Sequence, residues 1–517
     1  MTRILLASLL LMAGPRLQAV QTEASLVNDD PSFDSLAVQH RGRIKPFLSF
    51  AQEVITTLTG RTSVPLPDLG KVGSRQLLLS LWTEPAGWDE KPVLLVEDPA
   101  LRRELGLTEH ARFFSLRRLA SLPRLAQLTA VAEATRASGS RDSVPPLASA
   151  AQTVSLRLGL LRSILSGDAL RMIPPREGSS PATPWAPVPG KIKSSAQLRE
   201  IQGQAHLPQT KLAVEVLYLK FHPFRWAWVS WLLAALLLMA PGKESTSRRI
   251  TLGWLFSILG SLLLVVGFAV RIWIAGRPPV TNMYESILWV AFAASLFAIF
   301  FAARHHAPAY LLAASPVVIL ALVASDLQPA VLDPSLNPLV PVLRSNFWLT
   351  IHVLTITLSY GAFALATAFG HFLVFRSLQN HSLPPVGDSG VDQLYRCLQV
   401  GVLLLAAGVI LGGVWANYSW GRFWDWDPKE TWALIALLSY IILLHGRLGG
   451  WWGGYGLAVG SIACFLTILM AWYGVNFVLG KGLHSYGFGN GGQPYVGVFA
   501  LLEAGFVAWA LLKRPST

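Results

Sequence analysis

Five tryptophans fall within eighteen residues in Trp415-Ala-Asn-Tyr-Ser-Trp420-Gly-Arg-Phe-Trp424-Asp-Trp426-Asp427-Pro-Lys-Glu430-Thr-Trp432. Trp415, Trp420, Trp424, Trp426 and Trp432, with Asp427 among them, form a candidate platform for a flat, apolar, π-rich ligand, on which aromatic faces stack. Basic groups would meet the carboxylates of that ligand, and Arg422, Lys429 and the later Lys481 are the candidates. An interfacial aromatic belt is the plainer reading, since indole settles at headgroup level. A belt, however, needs no fixed spacing, no flanking glycine and no interleaved Arg422, Asp425 and Lys429. Asp427-Pro-Lys-Glu430 has a local task as well: Asp at the N-cap, Pro at the first helical position and Glu at the third start a helix, so Asp427 and Glu430 read mainly as structural.

Two histidines accompany this stretch. His352 lies about one and a half turns into an apolar segment, and His484 follows in Gly480-Lys-Gly-Leu-His484-Ser-Tyr-Gly. Two imidazoles on one side of an aromatic platform are what bis-histidine ligation of a haem iron requires. A packed histidine hydrogen-bonded to a neighbour is the alternative, and the residues alone leave both readings open. His40, His110 and His206 are isolated and read as solvated or hydrogen-bonded surface residues.

The elements that must position these groups are membrane helices. Of 517 residues, 52% are hydrophobic and only 14% charged, which is wrong for an ordinary soluble enzyme. Charged residues are frequent up to about Leu219; beyond Phe221 nine candidate spans follow, at 224–241, 250–275, 284–303, 308–325, 347–375, 396–416, 429–446, 455–476 and 495–512. The expected fold is therefore an all-α polytopic membrane protein carrying an N-terminal extracytoplasmic soluble domain over 21–219. Residues 1–20, with Arg3, the apolar run Ile4 to Met12 and small Ala19, read as a signal peptide. Within 21–219, Leu101 to Leu122 and Ser149 to Leu165 look helical, and the Pro/Ser/Gly-rich stretch Pro174 to Lys191 looks like a linker. The net charge of +13 is scattered beside the ends of apolar runs, which argues for topology and against a nucleic-acid partner. Loops assigned to the cytoplasm hold Lys243, Arg248, Arg249, Arg304, Arg376, Arg396, Arg447, Lys513 and Arg514, whereas the outer loops hold only Arg277, Arg344, Arg422, Lys429 and Lys481. Cys397 and Cys464, the only cysteines, both fall in apolar segments, so thiol chemistry must come from partners.

The tryptophan stretch with its following Thr-Trp-Ala-Leu-Ile resembles the WWD motif of haem-handling proteins, and in detail that of the CcsA/ResC family of System II cytochrome c biogenesis. Three further segments are similar to that family: Gly276-Arg-Pro-Pro-Val-Thr-Asn-Met-Tyr-Glu285-Ser, Trp348-Leu-Thr-Ile-His352-Val, and Gly474-Val-Asn-Phe-Val-Leu-Gly-Lys-Gly-Leu-His484-Ser-Tyr-Gly. The resemblance covers about Trp254 to Leu512 and leaves the role of the N-terminal domain open; there Gly42-Arg-Ile-Lys-Pro46 is reminiscent of segments preceding the synthase part of some members. It implies that His352 and His484 are the external axial ligands of haem b, bound as substrate, and that His445 is one ligand of an internal site. It places the other internal ligand in a ResB/CcsB-type membrane partner, with His371 as a local alternative.

The implied activity joins haem vinyl groups to the CxxCH thiols of apocytochrome c, at the outer face of the bacterial cytoplasmic membrane. Extracytoplasmic thiol-reducing proteins would keep those thiols available. No residue of this chain acts as a direct nucleophile, because the substrate thiolates do; positioning is the contribution. A haem exporter or chaperone would use the same residues without forming a bond, a related System I lyase component also carries a WWD loop, and a membrane scaffold would hold no haem. The lysine and arginine asymmetry puts 21–219 outside and the C-terminus in the cytoplasm. An alkaline phosphatase fusion near Pro187 is therefore expected to be active and one after Thr517 inactive; the opposite pattern reverses the orientation.

Overall fold

The computed structural model describes residues 30–66, 70–137, 144–176, 179–180, 183–190, 194–240, 246–329, 331–338, 346–479 and 492–515. The expected signal segment therefore lies outside the described residues, as do His484 and Lys481.

The N-terminal body has its own apolar core, separate from that of the helices that follow. Four antiparallel hairpins pair β1 (Ala37–His40) with β2 (Arg43–Pro46), β3 (Ser63–Leu66) with β4 (Gly70–Gly73), β5 (Leu94–Leu95) with β6 (Phe113–Phe114), and β7 (Arg171–Ile173) with β8 (Ala186–Pro187). Around them lie α1 (Phe47–Thr59), α2 (Ser74–Thr83), α3 (Pro99–Glu104), α4 (Leu116–Ala120), α5 (Pro123–Ala137), α6 (Pro146–Leu165), α7 (Ser195–Gly203) and α8 (Gln209–Phe221). Helix α1 shows why this sequence folds so: Phe47, Phe50, Ala51, Val54, Ile55 and Leu58 recur at helical spacing and are buried, and Gly60, at φ 72°, stops the helix in a left-handed cap. The Arg41-Gly42 turn joins β1 to β2 with both residues at positive φ, the geometry that matches strand twist in a two-residue hairpin. That hairpin is tied down by charge: Lys45 Nζ lies 2.5 Å from Glu53 Oε2, and Arg43 makes two bonds of 2.6 and 2.7 Å to Glu215 on α8. His40, expected at the surface, is half-buried against Phe50 with Nδ1 3.5 Å from Glu53 Oε2.

Two readings of this body are corrected. Leu101 to Leu122 is not one helix: α3 stops where Gly106 turns to φ 61°, the chain then enters β6, and Ser115 caps a new helix, α4. Pro174 to Lys191 is not a bare linker, because Trp185 is buried and the following Ala186–Pro187 pairs as β8. Ser149 to Leu165 does lie within one helix, α6.

The remaining helices are α9 (Pro223–Met239), α10 (Thr246–Ala275), α11 (Met283–His305), α12 (Ala309–Leu327), α13 (Asn346–Gln379), α14 (Ser389–Trp420), α15 (Pro428–Leu448), α16 (Gly454–Leu469) and α17 (Gln493–Leu512), with Met470–Leu479 continuing α16 in π-helical turns. Eight of the described helices are long and apolar enough to cross a membrane. The span expected at 224–241 is the 17-residue α9, at the short limit of what crosses the hydrocarbon core. The protein is thus an integral membrane protein of predominantly helical fold.

Successive helices run in opposite senses, so the starts of α9, α11, α13 and α15 and the ends of α10, α12 and α14 gather at the end of the bundle beside the N-terminal body. A buried ion cluster organises this end. Glu285, on the first turn of α11, takes Arg271 Nη2 at 2.7 Å and Arg277 Nη1 at 2.8 Å, and all three side chains are at most 5% exposed. Arg271 also donates to the Pro334 carbonyl and Arg277 to that of Asn337, so one carboxylate gathers α10, the turn after it, α11 and the 333–337 connection. Breaking one partner of such a cluster leaves uncompensated buried charge, which costs about 3–5 kcal/mol. Glu285→Gln is therefore expected to lower the thermal midpoint of the detergent-solubilised protein and its monodisperse yield; an unchanged midpoint would show that the two guanidiniums reach water.

Candidate functional site

At the same end of the bundle, four segments distant in sequence enclose a cavity of about 180 Å³. Its walls are Thr281 and the start of α11 after it (Met283, Ser286), α13 (His352, Ile356, Tyr360), the end of α14 (Gly412, Gly413) and the start of α15 (Lys429, Glu430), closed by Trp472 and Asn476 of the π-helical turns. Trp424, from the loop before α15, also faces it.

A backbone carbonyl holds the His352 ring. Its Nδ1 is 2.8 Å from the Gly408 carbonyl, and since a carbonyl only accepts, Nδ1 carries the proton and Nε2 is the ring's acceptor. The ring lies nearly parallel to Trp415, 7° between planes at 6.2 Å. Only glycine permits this seat: a Cβ on Gly412 would lie 2.7 Å from His352 Cε1, and one on Gly408 2.9 Å from Ile356 Cβ.

The tryptophan stretch divides into two parts. Trp415 and Trp420 stand on the last turns of α14 and not in a loop; Trp415 is fully buried and packs edge-on to Trp420 at 4.6 Å. Gly421, at φ 73°, ends the helix, and Arg422 lies over the Trp420 ring at 5.3 Å. Trp424 and Trp426 meet at right angles, with Trp426 68% exposed, and Trp432 is half-buried on α15, outside the cavity lining. The expected helix start is present: Asp427 accepts from the Lys429 amide at 2.9 Å, Pro428 is the first helical residue, and Glu430 reaches back to the Asp427 amide at 3.3 Å. Glu430 does more than cap, since it also accepts from the Asp425 amide at 2.9 Å and from Arg422 Nη1 at 2.6 Å.

The profile of the family described as Cytochrome C assembly protein matches residues 280–484, a range that contains every residue of the cavity lining. A cytochrome c biogenesis protein CcsA of Prochlorococcus marinus is 36% identical over 48% of this chain and 87% of its own length, and one of a Synechococcus species is 38% identical over 47% and 90%. The chain belongs to the CcsA family. Protein NrfI of Wolinella succinogenes is 30% identical over 89% of the chain, so similarity extends into the N-terminal body; the chain spans 54% of the length of that relative. Among solved structures, that of a protein named Cytochrome c Heme Lyase CcmF aligns with a TM-score of 0.40 at 17% identity, over 56% of this chain and 50% of that one, too loosely to carry an argument.

Within this CcsA-family chain, His352, Trp424, Lys429 and Glu430 converge on one cavity. His445 does not join them: it is exposed on the last turn of α15, with Nδ1 2.9 Å from the Ile441 carbonyl. His371 is also apart, its Nε2 3.0 Å from Glu503 on α17. Sequence reasoning named no role for Thr281, Ser286, Trp472 or Asn476, yet all four line the cavity, and Trp472 Nε1 donates to Ser286 Oγ at 3.0 Å. The available signal was the polar interruption Trp472-Tyr-Gly-Val-Asn476 in an otherwise apolar span.

Because Glu430 joins the Asp427 cap amide, the Asp425 amide and Arg422, its charge and its acceptor geometry are separable. The midpoint followed by tryptophan fluorescence is expected to fall in the order wild type, Glu430→Gln, Glu430→Ala, with the alanine variant losing about 1–3 kcal/mol. Equal midpoints for the two variants would assign the whole effect to the ion pair.

Proposed function

We propose that this chain binds haem b as substrate at the His352 cavity and presents it for covalent attachment to the CxxCH thiols of apocytochrome c, at the outer face of the bacterial cytoplasmic membrane. The observation that carries the reading is the seat of His352: a fixed tautomer with Nε2 as acceptor, a parallel Trp415 behind the ring, and Trp424 and Lys429 across the cavity. Membership of the CcsA family, whose relatives are named cytochrome c biogenesis proteins, supports it. At about 180 Å³ the void is a slot, which suits a flat macrocycle entering edge on while its remainder rests against the tryptophan loop.

His352 is the proposed axial ligand from this side and His484 the second. Trp415, Trp420, Trp424 and Trp426, with Asp427 fixing the loop end and Trp432 behind it, form the proposed platform, and Lys429 and Lys481 meet propionates. Arg422 has the same assignment, and its ion pair with Glu430 fixes where its guanidinium points. His445 is the proposed internal ligand, and its exposed position suits a site completed by a ResB/CcsB-type partner; His371 is the less favoured choice because Glu503 already faces its Nε2. In the reaction each substrate thiol adds across a vinyl double bond, forming a carbon–sulfur bond at one carbon while the proton ends on the other. No oxidant is consumed, and extracytoplasmic thiol-reducing proteins keep the substrate dithiol reduced. The chain supplies alignment, and displacement by about 1 Å can cost on the order of 100-fold in rate.

The absorption spectrum of the purified protein tests the binding step, and cytochrome c maturation tests attachment. Wild type is expected to show a bis-histidine haem spectrum; His352→Gly is expected to lose bound haem and maturation, with part of both returning on addition of imidazole. Gly412→Ala, which crowds the same ring, is expected to retain folded protein but bind less haem. Normal maturation in His352→Gly would overturn the ligand assignment, and haem binding without thioether formation would make the chain an exporter or chaperone.

A further inference from the structure

A second, larger cavity of about 530 Å³ lies between the N-terminal body and the helix bundle, and the cytochrome chemistry above does not use it. Its floor is made of helix ends: Phe224 and Arg225 start α9, Arg271 lies near the end of α10, Tyr284 starts α11 and Asp326 lies at the end of α12. Ends of membrane-crossing helices lie where hydrocarbon gives way to headgroups. Trp226 and Trp228, on the first two turns of α9, are side chains that settle at that level. The opposite wall belongs to the N-terminal body, with Gln52 and Thr56 of α1 and Arg157 of α6.

The lining holds a buried cation without a counter-charge. Arg157 is 8% exposed; its Nε donates to the Thr57 carbonyl at 2.8 Å and its Nη1 to the Leu95 carbonyl at 2.6 Å. Its Nη2 has no partner among the described residues and is not sealed from the cavity. Carbonyls fix a guanidinium without neutralising it, and burial lowers the Arg157 pKa, with Glu97 offsetting only part of that. Glu97 itself faces Arg112 at 3.8 Å. Arg41, exposed at the β1–β2 turn, is a second cation with no ion pair among the described residues. The other charges are matched: Glu53 with Lys45, Glu215 with Arg43, Asp326 with Arg225, and Glu285 with Arg271 and Arg277 together. Burial, then Arg225, lower the His222 pKa, so that ring adds no charge at neutral pH. Asp333, which accepts from the Ser335 amide and hydroxyl, is the lining carboxylate left without a cation among the described residues. Two free guanidiniums against one free carboxylate leave the cavity short of at least one negative charge.

A phosphodiester supplies that charge as a monoanion, and its oxygens accept from guanidinium groups. Gln52, Thr56 and Thr62 make no side-chain hydrogen bond among the described residues and offer donors for its remaining lone pairs. Leu156, Leu160, Leu219 and Phe224 give the same cavity an apolar side, for which a small soluble anion has no use. A zwitterionic headgroup brings a cation of its own and leaves the deficit unfilled. We propose that the cavity binds the headgroup of an anionic phospholipid from the leaflet on the side of the N-terminal body, with its phosphodiester on Arg157 and Arg41. The volume suits a headgroup and its glycerol rather than a whole lipid. The acyl chains leave along α9, where Trp226, Leu233 and Leu236 are exposed. Both guanidiniums belong to the N-terminal body and the floor to the bundle, so the lipid bridges the two. The assignment depends on neither haem nor substrate thiols.

The test uses the full chain, delipidated in detergent, and native mass spectrometry with phosphatidylglycerol, phosphatidylcholine or inorganic phosphate. Phosphatidylglycerol is expected to bind at least tenfold more tightly than phosphatidylcholine. A phosphatidylglycerol with a photoreactive diazirine high on one acyl chain is expected to mark α6, α8 or the start of α9, the adducts being mapped after proteolysis. Arg157→Met is expected to weaken binding at least tenfold. Because Arg157 also holds two carbonyls, Arg41→Met supplies the variant that keeps the fold: a wild-type thermal midpoint with at least threefold weaker binding. Equal binding of the two lipids, adducts spread evenly over the bundle, or wild-type affinity in either variant would each overturn the proposal. Displacement of the lipid by inorganic phosphate at equal concentration would overturn it too, by assigning the site to a soluble anion.

Discussion

One carboxylate holds the functional end of this molecule together. Glu285 is almost fully buried, as are the two guanidiniums it accepts from, and desolvating three charges is tolerable only because each has partners in good geometry. The same carboxylate accepts from the Thr281 amide at 3.0 Å and hydroxyl at 2.9 Å, fixing the segment that lines the His352 slot. Through Arg271 it reaches Tyr218 on α8, the last helix of the N-terminal body. The start of α11 is therefore placed by electrostatics from three sides, and both cavities inherit their shape from it. Packing alone would leave such a helix start free to rotate or slide along its neighbours.

The aromatic groups follow a different logic. His352 is oriented by the Gly408 carbonyl and by the absence of a side chain at Gly412, and Trp415 lies parallel behind it. Rigid backbone is a more exact support than a second flexible side chain would be, which matters where a small displacement changes rate steeply. The loop after α14 is short for the same reason. Gly421 ends one helix, Asp427 begins the next, and Glu430 ties the residues between them from the first turn of α15.

What could be read from the sequence was what physics makes local. Apolar runs of helix-spanning length announced the bundle, and Asp427-Pro-Lys-Glu430 announced a helix start, because capping involves residues three apart. Aromatic density pointed to the cavity through Trp424 and Lys429, and His352 was singled out as an imidazole in an apolar span. What could not be read depends on contacts across the fold. Arg277 and Glu285 were visible in a quoted segment, but nothing in their spacing says that Arg271 completes a buried cluster with them. Gly408 and Gly412 look like ordinary small residues in a membrane helix until His352 is set against them. Leu101 to Leu122 misled because its leucine and arginine content suits a helix, whereas Gly106 and the Ser115 cap divide it.

The π-helical turns at Met470–Leu479 carry a consequence for how this span tolerates change in length. An α-helix advances about 100° per residue, since it has about 3.6 residues per turn, and a π turn absorbs an additional residue in each hydrogen-bonded ring. Trp472 and Asn476 face the slot under that wider winding. Were the segment to tighten to ordinary winding, every side chain after Met470 would swing progressively around the axis. Hydropathy is blind to such a rotation, because the segment would remain as apolar and nearly as long. The phase of this helix, set by main-chain winding, thus governs which atoms the slot presents.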